Sequence, residues 1–284
     1  MKDLAGKVAV VTGGGSGIGR GISLGLAAEK MTVAVADVRA ESAEAVAAEI
    51  TERGGRGFAV QVDVTSVESL ATAAKQIVAE AGGVNLLCAN AGVLARIASL
   101  DDHTIEDWEY TLSVNVLGVV KTVKAFLPAL RASAPDAHIV NTASLGGLMS
   151  TEGIPIGAYI ASKYACVGYS EMLRTELGAE GIGVSVLCPG VVASDLMNTS
   201  SQNRPEGFGQ QPAPAFAAGG GNSDAPPGAI SMMPAEEVGP IIVTAVRENR
   251  LHVLTHPESR PAVERRFRAV FDDFDFAAQE KAKR

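Results

Sequence analysis

A short β-branched run followed at once by a glycine-rich turn is the feature that most constrains the fold. Val8–Thr12 predicts a buried strand, and residues 13–19 have the sequence Gly-Gly-Gly-Ser-Gly-Ile-Gly. A helical pattern carrying Ile22, Leu24 and Leu26 begins directly after them. Glycines let a backbone approach a pyrophosphate closely over the N–H groups of a helix start. The unit is therefore typical of a nucleotide-binding α/β fold, although its spacing departs from G-x-G-x-x-G.

Short apolar runs alternate with longer helical patterns through most of the remaining chain. Such alternation predicts parallel strands that are buried on both faces of a sheet. We therefore predict an α/β fold of Rossmann type, with a doubly wound parallel sheet in a three-layer α/β/α arrangement and a single domain over residues 1–284. The six further strands are predicted at residues 32–36, 58–62, 85–89, 138–142, 183–188 and 251–254.

Composition excludes several classes of partner. The formal net charge of −8 argues against nucleic acid, because neutralising phosphates requires clustered Lys and Arg. No uninterrupted run of about 20 apolar residues suggests a membrane span, and the N-terminus shows no signal-peptide pattern. Cys88, Cys166 and Cys188 stand apart in apolar contexts, which predicts buried thiols in a reducing, cytoplasmic compartment. The four dispersed histidines predict no metal site.

Acidic residues at strand ends indicate which nucleotide the fold takes. Asp37 ends the second predicted strand, where a carboxylate can accept hydrogen bonds from adenosine ribose hydroxyls and repels a 2′-phosphate. Ser16, in the glycine turn, offers no positive charge to such a phosphate. The sequence therefore favours NAD over NADP, with Arg39 as the one residue that could favour NADP. Asp63 could bond the adenine edge or simply cap the next helix.

Tyr159 and Lys163 are four residues apart on one predicted helix, so they share a face and lie one turn from each other. An ammonium group beside a phenol favours the phenolate form. The pair could therefore perform acid/base chemistry on an alcohol or a carbonyl. Because the same spacing occurs by chance in many helices, the pair alone does not predict catalysis.

The order of these motifs closely resembles the short-chain dehydrogenase/reductase family. The resemblance runs from about Lys7 to Ala193 and continues more weakly to the C-terminus. It rests on the glycine turn, Asp63, residues 90–92 (Asn-Ala-Gly), Asn115, Ser144, the Tyr159 and Lys163 pair, and residues 189–190 (Pro-Gly).

This resemblance implies a four-residue active site. Tyr159 would be the general acid or base at the substrate oxygen, and Lys163 would favour its ionised form and bond the nicotinamide ribose. Ser144 would hold and polarise the substrate oxygen, and Asn115 would support a water in a proton relay. The residues implied to bind the cofactor are Gly13, Ser16, Gly17, Ile18, Gly19, Asp37, Asp63, Val64, Asn90, Ala91, Gly92, Tyr159, Lys163, Pro189, Gly190, Val192 and Ser194.

Three departures from the family pattern bear on the site. Ala89 stands before Asn90, where the family often has a second asparagine. The spacing between Ser144 and Tyr159 is about two residues longer than usual, which predicts a bulge over residues 150–155 beside the pocket. Ser194 takes the place of the threonine that often bonds the nicotinamide amide, and it keeps the hydroxyl.

The predicted substrate pocket is apolar and lacks an arginine clamp for a carboxylate or phosphate. We expect a secondary alcohol or ketone with an apolar or aromatic body as substrate. Residues 196–233 are predicted to form the substrate loop, with the Pro- and Gly-rich stretch 204–228 as a mobile lid. The predicted lining is Leu94, Leu145, Ile154, Ile156, Val191, Leu196 and Met197.

The C-terminal third carries weaker expectations. Residues 234–271 loosely resemble bacterial family members that oxidise benzylic alcohols in aryl-ether breakdown. A terminal helix is predicted over residues 262–271, followed by a charged tail, 272–284, that frays. By family resemblance we expect a homodimer or homotetramer that packs through the long helices near Asn115 and Tyr159.

Two alternatives to an NAD-dependent alcohol dehydrogenase or ketone reductase stay open. One is an NADP-dependent carbonyl reductase. The other is a non-catalytic NAD-sensing protein that regulates a partner without turnover. The complete set of four active-site residues argues against the sensor, because a pure binding protein does not need groups that handle protons.

Overall fold

A computed structural model describes residues 1–150, 153–209 and 231–284. Over these residues the strands form one seven-stranded, wholly parallel sheet in the order β3-β2-β1-β4-β5-β6-β7. The predicted Rossmann-type fold and its alternation of strands and helices are therefore confirmed. The strands are Val8–Thr12 (β1), Thr32–Asp37 (β2), Arg56–Gln61 (β3), Leu86–Ala89 (β4), Ala137–Thr142 (β5), Ile182–Cys188 (β6) and His252–Leu254 (β7).

Helices connect the strands and cover both faces of the sheet. Local sequence determines where several of them begin: Ser66 accepts a hydrogen bond from the Ser69 N–H at the start of α3, and Thr104 forms a capping box with Asp107 at the start of α4. The helices are Gly17–Ala28 (α1), Ala40–Glu52 (α2), Val67–Ala81 (α3), Ile105–Leu112 (α4), Val119–Ala132 (α5), Gly157–Leu177 (α6), Leu196–Gln202 (α7), Val238–Arg247 (α8) and Arg260–Ala282 (α9).

Alternate residues of each strand point to opposite faces of the sheet and pack into two separate hydrophobic layers. Ala9 and Val11 of β1 pack in the layer under α1, α2 and α8, whereas Val10 packs in the layer under α3, α5 and α6. Nearly every core strand residue is buried, as expected for parallel strands covered on both faces. The three cysteines are buried, as predicted. Two rigid layers thus hold the strand ends in place.

The helical stretch Ile105–Ala132 is, by length and composition alone, long and apolar enough to cross a membrane, although no membrane span was predicted from the sequence. Its residues Val123, Phe126 and Leu130 are buried in the core beside β4 and β5. Amphipathic helices in protein cores can be equally long and apolar, so this stretch is insufficient evidence for a membrane span. A π-helical segment, Ser113–Gly118, separates α4 from α5 within it.

The C-terminus differs from the sequence-based expectation. The helix expected to stop near residue 271 continues through the charged tail to Ala282 as α9. Residues 277–284 are all Ala, Gln, Glu, Lys or Arg, which are good helix formers, and pairs such as Lys283 with Glu280, 2.6 Å apart, support the last turn. High polarity was therefore a poor sign of fraying here.

Candidate active site

The topology of the sheet creates a crevice where the strand order reverses. The chain proceeds outward from β1 to β3 on one side and continues from β4 on the other, and ligands of open α/β sheets bind outside the carboxyl ends of strands at such a point. A cleft of about 510 Å³ lies there. Its walls include the residues that follow β1, β2, β4, β5 and β6, so separate motifs meet at one edge.

The glycine turn forms the floor of the cleft beneath the start of α1. Gly13 has φ +62°, and a Cβ there would stand 2.9 Å from the Ala91 Cα. Gly17 has φ +46°, and its Cβ would stand 2.9 Å from that of Ser194. Ser16 is the N-cap of α1 but makes no side-chain cap bond. The backbone N–H groups at this helix start, unblocked by side chains, suit a phosphate.

A carboxylate marks the far end of the cleft. Asp37 is buried at the end of β2, and its oxygens accept hydrogen bonds from the Gly15 N–H (3.0 Å) and the Arg39 N–H (3.1 Å). These bonds fix the carboxylate beside the glycine turn and leave lone pairs toward the cleft. Asp63, also on the cleft wall, accepts hydrogen bonds from the Thr65 N–H and hydroxyl. Ser66, not Asp63, caps α3.

Arg39 stands on the same wall. Its Nη1 lies 3.4 Å from Gln202 Oε1. Its Nε is buried without a hydrogen-bond partner among the residues that the structure describes. Guanidinium groups bind phosphate strongly. The chain therefore places one cation near the carboxylate of Asp37.

Tyr159, Lys163 and Ser144 line the opposite end of the cleft. Lys163 Nζ lies 5.4 Å from the centroid of the Tyr159 ring, and it donates a hydrogen bond to the Thr142 carbonyl at 3.0 Å. The Lys163 side chain is buried, so its position is fixed. Ser144 Oγ accepts a hydrogen bond from the Gly146 N–H at 3.1 Å. The structure thus brings together three of the four residues predicted to be catalytic.

The fourth, Asn115, lies behind the cleft wall in the π-helical segment and is fully buried. Its Oδ1 accepts a hydrogen bond from the Val93 N–H at 2.8 Å, and its Nδ2 donates to the Val93 carbonyl and to Ser162 Oγ. Ser162 Oγ in turn donates to the Tyr159 carbonyl. Asn115 therefore ties the β4 loop to the helix that carries Tyr159. π-Bulges often mark functional sites, but the sequence pattern did not predict this one.

All residues predicted to bind the cofactor line the cleft, whereas the predicted substrate pocket is divided. Leu94, Ile156, Val191 and Leu196 are on its wall. Leu145 instead packs in the core with Val167 and Val186 and borders a second cavity. Ile154 is half-exposed away from the cleft wall, and Met197 is also absent from that wall.

The reason for these differences is side-chain direction. Met197 follows Leu196 on α7, so it points about 100° around the helix from it. Twelve residues of the described cleft wall were not predicted from the sequence. The spacing of Leu196, Thr199 and Asn203 on one helix face would have indicated two of them. The twelve are Val38, Val62, Thr65, Val93, Tyr110, Val114, Thr142, Ala143, Asp195, Thr199, Asn203 and Pro205.

A buried ion pair anchors the segment after α7. Arg204 Nη1 lies 2.7 Å from Asp107 Oδ1, and both side chains are about 95% buried. Although burial by itself raises the pKa of Asp107, the Thr104 N–H and Arg204 hold it below its usual range. The Arg204 guanidinium also lies 5.4 Å from the Tyr110 ring, and burial raises the pKa of Tyr110 to about 12. This network fixes one border of the cleft.

Parts of two predicted loops cannot be compared with the structure. Of the predicted lid, residues 204–209 are described, and residues 210–228 lie outside the described part. In the predicted bulge, residues 151 and 152 lie outside it as well. The end of that stretch is held in place, because the Ala98 N–H donates to the Pro155 carbonyl at 2.8 Å.

Comparison with known proteins agrees with this geometry. A family model described as short chain dehydrogenase matches residues 7–205. The chain is 30% identical over 278 residues to the CLA biosynthesis dehydrogenase/reductase of Lactiplantibacillus plantarum, covering 96% of both. It is 31% identical over 276 residues to the C alpha-dehydrogenase of Sphingobium sp. (strain NBRC 103272 / SYK-6), covering 96% of this chain and 88% of that protein.

Among solved structures, a short chain dehydrogenase/reductase from Burkholderia phymatum in complex with NAD superimposes with a TM-score of 0.85. It is 31% identical, and the match covers 96% of this chain and 97% of that one. The likeness to the Sphingobium protein spans nearly the whole chain, so it is not confined to the C-terminal third. The family model and these relatives show that the chain belongs to the short-chain dehydrogenase family of NAD(P)-binding oxidoreductases.

Proposed function

We propose that this protein transfers a hydride between NAD(H) and a secondary alcohol or ketone, with Tyr159 as general acid and base. The observation that carries the proposal is the position of Tyr159 on the cleft wall, with the Lys163 ammonium 5.4 Å from its ring centroid. Hydride removal from an alcohol requires a group that takes the hydroxyl proton. No histidine lines the described cleft, which supports assigning that task to Tyr159.

Each active-site side chain has a distinct task in this proposal. The Tyr159 oxygen accepts the hydroxyl proton when an alcohol is oxidised and returns it when a ketone is reduced. The buried Lys163 ammonium lies 5.4 Å from the centroid of the Tyr159 ring and would bond the nicotinamide ribose. The Ser144 hydroxyl hydrogen-bonds the substrate oxygen, and Asn115 orients Tyr159 through Ser162 and supports the proton relay.

The glycine turn and Asp37 fit the dinucleotide that the family implies. Gly13 and Gly17 leave room for backbone contact with a pyrophosphate, and the start of α1 supplies N–H donors. Asp37 offers carboxylate lone pairs to ribose hydroxyls. When bound, the nicotinamide supplies the hydride acceptor or donor. NAD is favoured because the Asp37 carboxylate lies against the glycine turn, where it accepts a hydrogen bond from the Gly15 N–H, and would repel a 2′-phosphate.

NADP is a second candidate because of one specific observation. The Arg39 guanidinium stands on the cleft wall with Nε lacking a partner among the described residues. A 2′-phosphate would satisfy that donor. In that case the protein would act as an NADP-dependent carbonyl reductase with the same proton chemistry.

The substrate proposed is an alcohol or ketone with an apolar or aromatic body. The wall around Ile156, Val191 and Leu196 is apolar, and Leu94 adds to it. The name of the Sphingobium relative, a C alpha-dehydrogenase, is consistent with oxidation at a carbon bearing a hydroxyl. We further propose a cytoplasmic homo-oligomer that packs through α5 and α6.

A Tyr159→Phe variant tests the mechanism. We expect turnover to fall by about 10² to 10⁴, while NAD binding, measured by calorimetry, is kept. Tyr164→Phe, on the same helix but away from the cleft wall, is the matched control and should keep its activity.

Two outcomes would count against the proposal in different ways. Full turnover by Tyr159→Phe would refute the role of Tyr159. A wild-type chain that binds NAD but turns over none of a broad panel of aryl and alkyl alcohols and ketones would favour the NAD-sensing protein instead.

A further inference from the structure

The terminal helix α9 exposes an apolar surface that nothing in the described chain covers. It spans 23 residues, and none of them is buried. Phe271, Phe274 and Phe276 are 61%, 70% and 64% exposed. Helices in proteins gain most of their stability from packing an apolar face against another element. Exposed apolar patches of this kind mark interaction surfaces.

The apolar residues of α9 form a stripe along one face. Val263, Phe267, Val270, Phe271 and Phe274 follow helical spacing, and this set is called the α9 stripe below. Its first part borders a groove of about 620 Å³ whose other wall includes Leu145 and Leu254. Its second part extends past the groove. Phe276 lies on the opposite side of the helix from the stripe.

Charge along α9 is divided between its two halves. Arginines occupy positions 265, 266 and 268, whereas aspartates occupy positions 272, 273 and 275. No ion pair within 4 Å involves Arg268 or Asp275 in the part of the chain that the structure describes, although Arg260 and Glu264 of the same helix do pair. The helix is thus basic before the middle of the stripe and acidic after it.

We propose that the α9 stripe is a homodimer interface on which α9 of a second copy packs in antiparallel orientation. A two-fold axis between residues 270 and 271 places Phe267 of one copy against Phe274 of the second. It also places Arg268 on the same flank as Asp275 of the second copy. A two-fold contact uses the same patch on both subunits, and only a helix with opposite charges at its two ends complements itself in this way.

The same charges disfavour a parallel arrangement of the two α9 helices. It would set arginine against arginine and aspartate against aspartate, which destabilises a helix pair. Within a single helix, Arg268 and Asp275 are separated by seven residues, about 10.5 Å along the axis. They therefore cannot pair in one copy. They can form an ion pair only between two copies, across the antiparallel interface.

This interface is separate from the surface of α5 and α6 that the proposed function assigns to assembly. Two different two-fold contacts whose axes cross at right angles generate a tetramer, and a single one generates a dimer. The inference does not depend on the reaction catalysed. Failure of the α9 contact would leave the proposed chemistry untouched.

The first experiment measures the mass of the full chain by analytical ultracentrifugation over a concentration series. Phe274→Asp should halve the mass of the assembly at micromolar concentration, while NAD binding is unchanged. Phe276→Asp, which places the same charge on the opposite face, should keep the wild-type mass. A monomeric wild-type chain, or equal masses for all three proteins, would overturn the proposal. The same is true if Phe274→Asp only abolishes retention on anionic lipid vesicles, because the stripe would then cover lipid.

A charge exchange tests the antiparallel register. Arg268→Asp and Asp275→Arg should each raise the dissociation constant of the α9 contact by about tenfold or more, because each sets like charges opposite each other. The double variant restores opposite charges at both symmetry-related pairs and should recover most of the wild-type affinity. A double variant as weak as either single variant would overturn the antiparallel pairing.

Discussion

The buried imidazole of His138 should make the stability of this protein depend on pH. His138 lies on β5 and is fully buried, with Nε2 2.8 Å from Ser185 Oγ and Nδ1 without a partner among the described residues. Burial, reinforced by the positive charges of the N-terminus and Arg174, lowers its pKa to about 3. An unfolded histidine titrates near 6.5. The folded chain therefore keeps this ring neutral where the unfolded chain takes up a proton.

The sign and size of the effect follow from that difference. Above about pH 6.5 both states are neutral, and the full stability is present. As pH falls from about 6.5 towards 3, only the unfolded state binds the proton, so the free energy of unfolding decreases. Each pH unit costs about 1.4 kcal/mol. Between pH 7 and pH 5 the loss due to His138 is therefore about 2 kcal/mol.

Urea denaturation at pH 7 and pH 5, at one protein concentration, measures this loss. Carboxylates also begin to titrate near pH 5, so the comparison with a His138→Gln chain isolates the imidazole. Glutamine keeps a hydrogen-bonding side chain but takes up no proton. We expect the variant to lose about 2 kcal/mol less than wild type between the two pH values. A His252→Gln chain, which lacks an exposed imidazole instead, is the control. Equal losses for wild type and His138→Gln would refute the reasoning.

Two further substitutions test the borders of the cleft. Asp37→Ala should lower the ratio of kcat/KM with NAD to that with NADP by about tenfold. This corresponds to removing a repulsion of about 1.4 kcal/mol between the carboxylate and the 2′-phosphate of NADP. An unchanged ratio would remove the argument for NAD. Arg204→Met should lower the free energy of unfolding by about 1.5 to 3 kcal/mol, because the buried Asp107 loses its partner at 2.7 Å and keeps only Arg96, 3.6 Å away, and the Thr104 N–H. Arg260→Met removes an exposed ion pair and should cost less than about 1 kcal/mol, and similar losses for both would contradict the anchoring role of Arg204.

The fold and the meeting of the site motifs were predictable because parallel strands end at a common edge. Once the sequence is divided into strands, Gly13, Asp37, Asn90 and Ser144 must lie near one another, whatever their distance in sequence. The position of Tyr159 and Lys163 on one helix face was predictable from helical periodicity alone. These inferences use the direction of the backbone, which local patterns determine well.

Side-chain direction at turns was not predictable in the same way. Ser144 is extended, with φ −170°, and lines the cleft, while the next residue, Leu145, turns into the core. The 3-10 turn over Leu145–Gly147 decides this, and no periodic pattern of either strand or helix describes it. The pocket prediction included Leu145 as the neighbour of a cleft residue, whereas Leu145 lies outside the described wall of the cleft.

Asn115 shows how the structure refines a role that resemblance alone implied. Both of its amide hydrogens are used, by the Val93 carbonyl and Ser162, whereas Oδ1 accepts one bond and has a lone pair to spare. A Cβ at position 92 would lie 3.3 Å from that Oδ1 and 3.4 Å from Lys163 Nζ. Glycine at position 92 therefore leaves open the space that lies between the two groups. If Asn115 supports a relay through its side chain, it does so as an acceptor facing that space, and any larger residue at position 92 would fill it.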